Sequence, residues 1–276
     1  PGDEVVVIGP VWPNIYSAIS INKGVATHAS ISLVDNAWSL NLRDVFAAVN
    51  PKTKAIFLNS PGNPTGWIMP EEDQKELLKF CREKNIWIVS DEVYHSLVFD
   101  RLVANSILSF ASEYDKVISV NSFSKSWLMT GWRLGWITHP IGMSETFAKL
   151  IQISTSGVPT FIQKAGIAAL TKGDDVIWDL RQRCKVGRDI VFDYLEQWPR
   201  VQCMRPNGAF YAFFSVDGME DSLKFCKKLI DRCNVGLAPG SAFGPGGEGF
   251  LRLCFASTPD KLNEAMRALA KEIGGR

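Results

Sequence analysis

The chain has 276 residues, a length that suits one large or two moderate domains, with 30 basic and 29 acidic side chains and a formal net charge of +1. This balanced charge, with no apolar run of the roughly 18 residues that a membrane span needs, excludes nucleic-acid and membrane partners and favours a small-molecule partner. Six cysteines and three histidines are scattered without C-x-x-C or metal-ligand spacing, which indicates reduced thiols in a cytoplasmic protein and no metal site.

The first predicted element is a buried strand over residues 4–8, where the apolar run of PGDEVVVIGP stops at a Gly-Pro pair. Four later runs, AIFLNSPGNP, IWIVSDEVY, KVISVNSFS and LGWITHP, are also continuously apolar, the pattern of parallel strands covered on both faces. Residues 70–84 predict a helix, with proline at the start, acidic residues in the first turn and basic residues in the last. This alternation predicts an α/β fold with a doubly wound, mostly parallel sheet over residues 1–185.

The pattern changes after about residue 160. A long helical stretch over residues 161–198, broken near Gly173, precedes CMRPNGAFYAFFSV, in which the Asn-Gly pair at 207–208 predicts a hairpin turn. A final helix is predicted over residues 259–274, with Thr258 as its cap and glycine as its stop. We therefore predict a smaller C-terminal α+β domain over residues 186–276.

Polar residues cluster at 59–66, 90–94 and 122–125, where three of the predicted strands end. The carboxyl ends of strands in a doubly wound sheet converge on one crevice, so these clusters are expected to meet around one ligand. The third cluster holds Lys125 inside an apolar, tryptophan-rich run, and a buried lysine is rare unless it is paired or chemically employed.

The functional groups of these clusters match one cofactor. Two hydroxyls and a guanidinium suit a phosphate, and they belong to Ser122, Ser124 and Arg133. Asp91 could pair with a protonated ring nitrogen, Asn63 and Tyr94 could hydrogen-bond a phenolate, and Lys125 could supply an amine. A ring with a phosphate, a pyridine nitrogen, a phenolate and an aldehyde is pyridoxal 5'-phosphate (PLP), for which a lysine Schiff base and a carboxylate at the ring nitrogen are typical.

Five stretches then identify a family: NSPGNPTG (59–66), SDEVY (90–94), SFSKSWLMTGWRLGW (122–136), PNGAFYAF (206–213) and APGSAFGPGGEGFLRLCFA (238–256). In order and spacing they resemble fold-type I PLP-dependent aminotransferases of the class I/II family, which are aspartate-aminotransferase-like. The resemblance implies the PLP-dependent transferase fold and transfer of an amino group between an L-amino acid and a 2-oxo acid through a Schiff base on Lys125. It also implies a cytoplasmic homodimer.

The resemblance further implies a role for each matched position. The implied catalytic residues are Lys125, Asp91 and Tyr94. The implied cofactor-binding residues are these three and Trp12, Asn63, Ser122, Ser124 and Arg133. The implied substrate-binding residues are Asn63 and Arg252, with Arg252 on the α-carboxylate. Taken singly, each has a structural alternative: a solvated loop charge for Lys125 and Arg133, a helix cap for Asp91, an outward position on an edge strand for Arg252 and a core aromatic for Trp12.

Members of this family also carry an upstream segment with the first sheet strand and a glycine-containing phosphate loop, which the stretch beginning at Pro1 lacks. Without that segment we expect weak cofactor binding and an exposed sheet edge. The alternatives are a PLP-dependent carbon-sulfur lyase of the same fold and a non-catalytic truncated fragment. A nucleotide-binding α/β protein has less support, because no G-x-G-x-x-G follows a strand. The motifs leave the amino donor open.

Overall fold

The computed structural model describes residues 1–35 and 37–275. The strands are β1 (Glu4–Gly9), β2 (Val25–Val34), β3 (Ala37–Leu40), β4 (Thr53–Asn59), β5 (Trp87–Asp91), β6 (Val117–Ser122), β7 (Gly135–Thr138), β8 (Val201–Cys203), β9 (Tyr211–Val216), β10 (Ala238–Pro239) and β11 (Phe250–Cys254). The helices are α1 (Asn14–Ile21), α2 (Leu42–Ala47), α3 (Glu71–Lys84), α4 (Phe123–Ser126), α5 (Ser144–Thr155), α6 (Thr160–Lys172), α7 (Asp174–Leu195), α8 (Ser222–Cys233) and α9 (Pro259–Ala270).

Seven strands form the larger sheet, in the order β3-β2-β1-β4-β5-β6-β7. The five inner strands are parallel to one another, whereas β3 and β7 at the two edges run antiparallel to their neighbours. Apolar side chains such as Ile8, Ile56 and Ile88 are fully buried, as expected of parallel strands covered on both faces. The predicted α/β fold with a doubly wound, mostly parallel sheet is confirmed.

The prediction of a parallel strand in LGWITHP is wrong. Strand β7 runs antiparallel to β6, with Ser119 opposite Thr138 and Ser122 opposite Gly135. The connection between the two strands contains the single-turn α4 and a 3₁₀ turn at Thr130–Trp132, and the Phe123 N–H donates to the Leu134 carbonyl at 3.1 Å. This bond turns the chain straight back along β6, so no crossover helix forms to return it in the parallel sense.

Four antiparallel strands form the smaller sheet, in the order β10-β11-β9-β8. The predicted hairpin of β8 and β9 is present, and Asn207-Gly208 lies in the connection between the two strands, which is longer than a two-residue turn. Residues 204–210 form a longer connection in which Ala209, with φ of 58°, has the left-handed conformation. The connection is instead fixed to the segment that follows β5, since Phe99 N–H donates to the Asn207 carbonyl at 3.0 Å and Ala209 N–H to the Leu97 carbonyl at 2.9 Å.

The long C-terminal helices lie close to their predicted positions. Helices α6 and α7 meet at Gly173, as expected, and α9 starts at Pro259 behind Thr258. Helix α9 ends at Ala270, four residues before the predicted stop, and the Thr258 side chain makes no capping hydrogen bond. The division of the chain into residues 1–185 and 186–276 stays a prediction; residue 185 lies inside α7.

Two large buried clusters underlie the two sheets. One packs helix α3 against the larger sheet through residues such as Leu77 and Ile88, and the other packs α7 and α9 against the smaller sheet through Phe192, Phe214 and Met266. Among the helices described, none is long and apolar enough to cross a membrane. A cavity lies at the carboxyl ends of β4, β5 and β6, and residues of β9 and β11 in the smaller sheet also line it.

Candidate functional site

A cavity of about 600 Å³ opens at the carboxyl ends of β4, β5 and β6. It is lined by all nine predicted site residues: Trp12, Asn63, Asp91, Tyr94, Ser122, Ser124, Lys125, Arg133 and Arg252. The same cavity is lined by six residues that the sequence did not single out: Asn59, Val93, Val120, Asn121, Thr130 and Tyr211. The predicted convergence of the three polar clusters is therefore present in the structure, while the role of each residue stays a prediction.

Asp91 is the last residue of β5 and lines the cavity as a partly buried residue. Its Oδ1 accepts a hydrogen bond from the Val93 N–H at 3.1 Å, and no ion pair of Asp91 exists within the described part of the chain. Burial raises the pKa of Asp91 from its ordinary 3.8 to about 6, and the neighbouring Glu92 charge acts in the same direction. A buried carboxylate without a cation is what a protonated ring nitrogen would neutralise.

Asn59 fixes the end of β5 and was missed by the sequence analysis. Its Nδ2 donates to the Asp91 carbonyl at 3.0 Å, and its Oδ1 accepts from the Asn63 N–H at 2.8 Å. One side chain therefore holds both the strand that carries Asp91 and the loop that carries Asn63. Its position in NSPGNPTG, at the end of a buried strand, was the available signal.

Lys125 lies on α4, directly after β6. The Ser122 Oγ accepts from the Ser124 N–H at 3.1 Å and caps this helix, which fixes the backbone at the lysine. The Lys125 Nζ lies 5.9 Å from the centre of the Phe210 ring and has no carboxylate partner among the residues described. Burial lowers the pKa of Lys125, and the charges of Arg252 and Arg133 act in the same direction.

The three predicted phosphate ligands lie around the same helix. Ser122 and Ser124 flank its start, and Arg133 follows it in the left-handed conformation, with φ of 53°. The Arg133 Nη1 donates to the Thr130 carbonyl at 2.8 Å, which leaves its other N–H groups for a ligand. Two hydroxyls and a guanidinium at one end of the cavity are chemically suited to phosphate oxygens.

Arg252 lies on β11, lines the same cavity and is held by three neighbouring side chains. Its Nη1 donates to the Asn63 Oδ1 at 2.8 Å, and its guanidinium lies 4.4 Å from the Tyr211 ring centre and 4.8 Å from that of Phe243. Its Nε is buried without a hydrogen-bond partner among the described residues. The side chain points into the cavity, so the alternative of an outward position on the strand is wrong.

Tyr94 and Tyr211 form a buried phenol pair. Their hydroxyl oxygens are 2.8 Å apart, and their side chains are 2% and 6% exposed. Burial raises the pKa of both phenols, so both keep their protons at neutral pH. The sequence analysis missed Tyr211, because only the register of β9 with β11 shows that its side chain faces Arg252.

Trp12 follows β1 and is 45% exposed, which excludes the alternative of a core aromatic. The preceding Val11 N–H donates to the Phe243 carbonyl at 3.0 Å, which fixes this segment next to the residues that hold Arg252. Trp12 therefore lines the cavity with a side chain that is in part exposed.

The groups lining the cavity fit PLP. A buried carboxylate lacks a cation, a partly buried lysine lacks an anion, and the Arg252 Nε lacks an acceptor, all within residues 1–35 and 37–275. Each missing partner corresponds to a group of the cofactor or of its amino-acid substrate: the ring nitrogen for the carboxylate, the aldehyde for the lysine and the α-carboxylate for Arg252. The predicted phosphate ligands Ser122, Ser124 and Arg133 line the same cavity.

Comparisons with known proteins agree with this fit. The family model for aminotransferase class I and II matches residues 1–269. A probable aspartate/prephenate aminotransferase from Aquifex aeolicus is 35% identical over 279 residues, with 99% of this chain and 70% of the relative covered. An aspartate aminotransferase from Thermotoga maritima is 35% identical, with 100% and 71% covered.

Solved structures give the same result. The aromatic aminotransferase from Pyrococcus horikoshii OT3 superposes with a TM-score of 0.92 at 32% identity, covering 98% of this chain and 74% of that chain. The chain thus spans about 70% of the length of the curated relatives named here. Proteins of this family use PLP to move amino groups between amino acids and 2-oxo acids. The chain belongs to the class I and II aminotransferase family and is a PLP-dependent transaminase.

Proposed function

We propose that Lys125, Asp91 and Tyr94 carry the transamination chemistry of this chain in the cavity at the ends of β4, β5 and β6. The observation that carries the proposal is the pair of unmatched charged groups, the buried carboxyl of Asp91 and the amine of Lys125, in a single cavity. When bound, PLP supplies a ring that withdraws electrons from the substrate α-carbon.

Lys125 has the properties of the proton-transfer group. Burial and two neighbouring arginines lower the pKa of its amine, which increases the neutral fraction that can accept a proton at Nζ. The Phe210 ring and the cap at Ser122 restrict where this amine can lie. We propose that the same Nζ would hold the cofactor at its aldehyde carbon and would also move the proton of the substrate α-carbon.

The remaining ligands would orient the ring. The Asp91 carboxylate would accept a hydrogen bond from the protonated ring nitrogen. The Tyr94 hydroxyl and the Asn63 Nδ2 would donate to the phenolic oxygen, since the Asn63 Oδ1 already accepts from Arg252. Trp12 would cover one ring face, and the phosphate would be held by Ser122, Ser124 and Arg133.

Arg252 and Asn63 would bind the substrate α-carboxylate. A guanidinium that is already held by two aromatic rings and one amide loses little freedom when it binds a carboxylate. The hydrogen bond from Arg252 to Asn63 links the residue that would bind the substrate carboxylate to a residue that would bind the phenolic oxygen of the cofactor. We propose this link as the way in which the site orients the α-carbon toward Lys125.

A donor screen tests the assignment. The chain, with saturating PLP and 2-oxoglutarate, is incubated with L-aspartate or L-phenylalanine, which the names of the relatives suggest, and glutamate formation is measured. We expect glutamate with at least one donor and its loss in Lys125→Ala, whereas Lys185→Ala, an exposed lysine on α7, keeps it. Pyruvate and ammonia release from cystathionine without glutamate formation would instead assign a carbon-sulfur lyase.

We infer a cytoplasmic homodimer for the protein. Large apolar side chains are exposed on α5, on α6 and beside β7, among them Leu150, Phe161 and Trp132, and such surface supports a subunit contact. All six cysteines are free, which supports a reducing compartment. Sedimentation equilibrium checks the dimer, and a monomer at all concentrations would contradict it. Limited proteolysis near residue 185 tests the proposed two-domain division.

A further inference from the structure

Tyr211 lines the cavity, and the chemistry proposed above uses only the contact of its ring with Arg252. We propose that Tyr211 is a positioning residue that links the two sides of the site: its hydroxyl holds the Tyr94 phenol, and its ring holds the Arg252 guanidinium. This inference rests on the roles proposed above for Tyr94 and Arg252. In this inference one side chain positions both Tyr94, the ligand of the phenolic oxygen, and Arg252, the ligand of the substrate carboxylate.

The strand register places Tyr211 beside Arg252. Tyr211 opens β9, where it lies opposite Cys254 of β11, and Phe213 lies opposite Arg252. Alternate residues of a strand face the same side, and opposite residues of an antiparallel pair share a face. Tyr211 and Arg252 are therefore diagonal neighbours on the cavity face of the smaller sheet, which gives the 4.4 Å distance between ring centre and guanidinium.

The hydroxyl pair has one consistent direction of donation. Each phenol carries a single proton, and the Tyr94 proton is needed for the phenolic oxygen of the bound cofactor. The Tyr94 oxygen is then left as the acceptor, so the Tyr211 hydroxyl donates across the 2.8 Å separation. A donor that itself accepts a hydrogen bond is polarised and donates more strongly, so Tyr211 would strengthen the bond made by Tyr94.

The ring of Tyr211 acts on the other ligand. Arg252 is contacted by Tyr211 and Phe243 through their ring faces and by Asn63 through one hydrogen bond. A guanidinium over an aromatic ring is stabilised electrostatically, more so when it is desolvated. Loss of the Tyr211 ring would leave Arg252 free to adopt other rotamers, whereas loss of the hydroxyl alone would not.

Tyr211→Phe tests the hydroxyl in the PLP-loaded protein. The readout is the pH midpoint of the visible absorbance of bound PLP, taken as a difference spectrum against free PLP. Weaker donation by Tyr94 destabilises the ionised phenolic oxygen, so we expect the midpoint to rise by about 0.5 to 1 pH unit. Tyr194→Phe, which removes a hydroxyl between α7 and α9, is the matched control and should leave the midpoint unchanged.

The Tyr211→Phe substitution, made in the Tyr94→Phe variant, distinguishes a failure of this inference from a failure of the proposed function. Tyr94→Phe alone should raise the midpoint, and adding Tyr211→Phe should raise it no further, because the second hydroxyl acts through the first. If Tyr94→Phe raises the midpoint and Tyr211→Phe does not, the inference fails while the role of Tyr94 stands. An equal rise in both backgrounds would also overturn the inference. No rise in Tyr94→Phe would overturn both.

Tyr211→Leu tests the ring. We expect KM for the most active donor of the screen to rise about 2- to 30-fold in Tyr211→Leu and to stay near the wild-type value in Tyr211→Phe. Tyr211→Met, with a more adaptable side chain, replaces the leucine variant if circular dichroism shows that the latter is unfolded. An unchanged KM in a folded ring-deletion variant would refute the role toward Arg252.

Discussion

At the scale of single residues, burial of Asp91 changes the pKa of its carboxyl group, and with it the dependence of protein stability on pH. Its carboxyl group has one backbone donor, Val93 N–H, and burial raises its pKa to about 6. A folded-state pKa above the ordinary 3.8 means that the protonated acid is favoured by folding. In the cofactor-free protein this contribution to stability is complete below about pH 4 and is lost as the pH rises through about 6.

We therefore expect Asp91→Asn to stabilise the cofactor-free chain at pH 8, by roughly 1 to 3 kcal/mol, while it abolishes transamination. The amide removes the buried charge, but it cannot form an ion pair with the ring nitrogen. Urea unfolding at pH 5 and pH 8 measures the effect, which should be smaller at pH 5. Asp231→Asn, exposed on α8, is the control. A variant that is less stable than wild type at pH 8 would contradict this account.

At the scale of elements, the sequence predicts those strands and site residues whose position depends on neighbouring residues in the chain. The buried runs predict β1, β4, β5 and β6, and the polar residues at the strand ends predict six of the nine cavity residues. The chemistry of a phosphate site adds Arg133, and the resemblance to the family implies Trp12 and Arg252. The direction of β7 and the contact of Tyr211 with Arg252 were missed, because a hydrogen bond across a connection and the register between strands decide them. Both depend on residues that are distant in sequence.

One contact between elements gives a stability test. Gly66 ends the loop that carries Asn63 and has φ of +67°, and a Cβ at this position would lie 2.5 Å from the Pro206 Cβ. We expect Gly66→Ala to lower the free energy of unfolding by about 2 to 4 kcal/mol, from left-handed strain and steric overlap. Gly131→Ala, which meets no atom within 4 Å, should change it little. Equal denaturation midpoints for the two variants would count against the packing of the two loops.

At the scale of the whole molecule, the larger sheet has an open side at β7. Within the described residues, β7 bonds to β6 alone, and its Trp136 is 37% exposed. Unpaired strand edges with apolar side chains favour association with other chains.

Thr138→Lys places a charge on that edge and should reduce association, because a lysine disfavours pairing with a second strand. Light scattering across a concentration series measures the effect. Gln182→Lys adds the same charge on the exposed face of α7 and should leave association unchanged. Equal reduction by the two variants would show that net charge, and not the β7 edge, controls association.

The central claim is that Lys125 is the residue that binds PLP covalently. The most direct test is borohydride reduction of the chain with excess PLP, followed by tryptic digestion and mass spectrometry. We predict one reduced adduct on the peptide that contains Lys125, retained in Lys185→Ala and lost in Lys125→Ala. A major adduct on another lysine, or unchanged labelling in Lys125→Ala, would contradict the account.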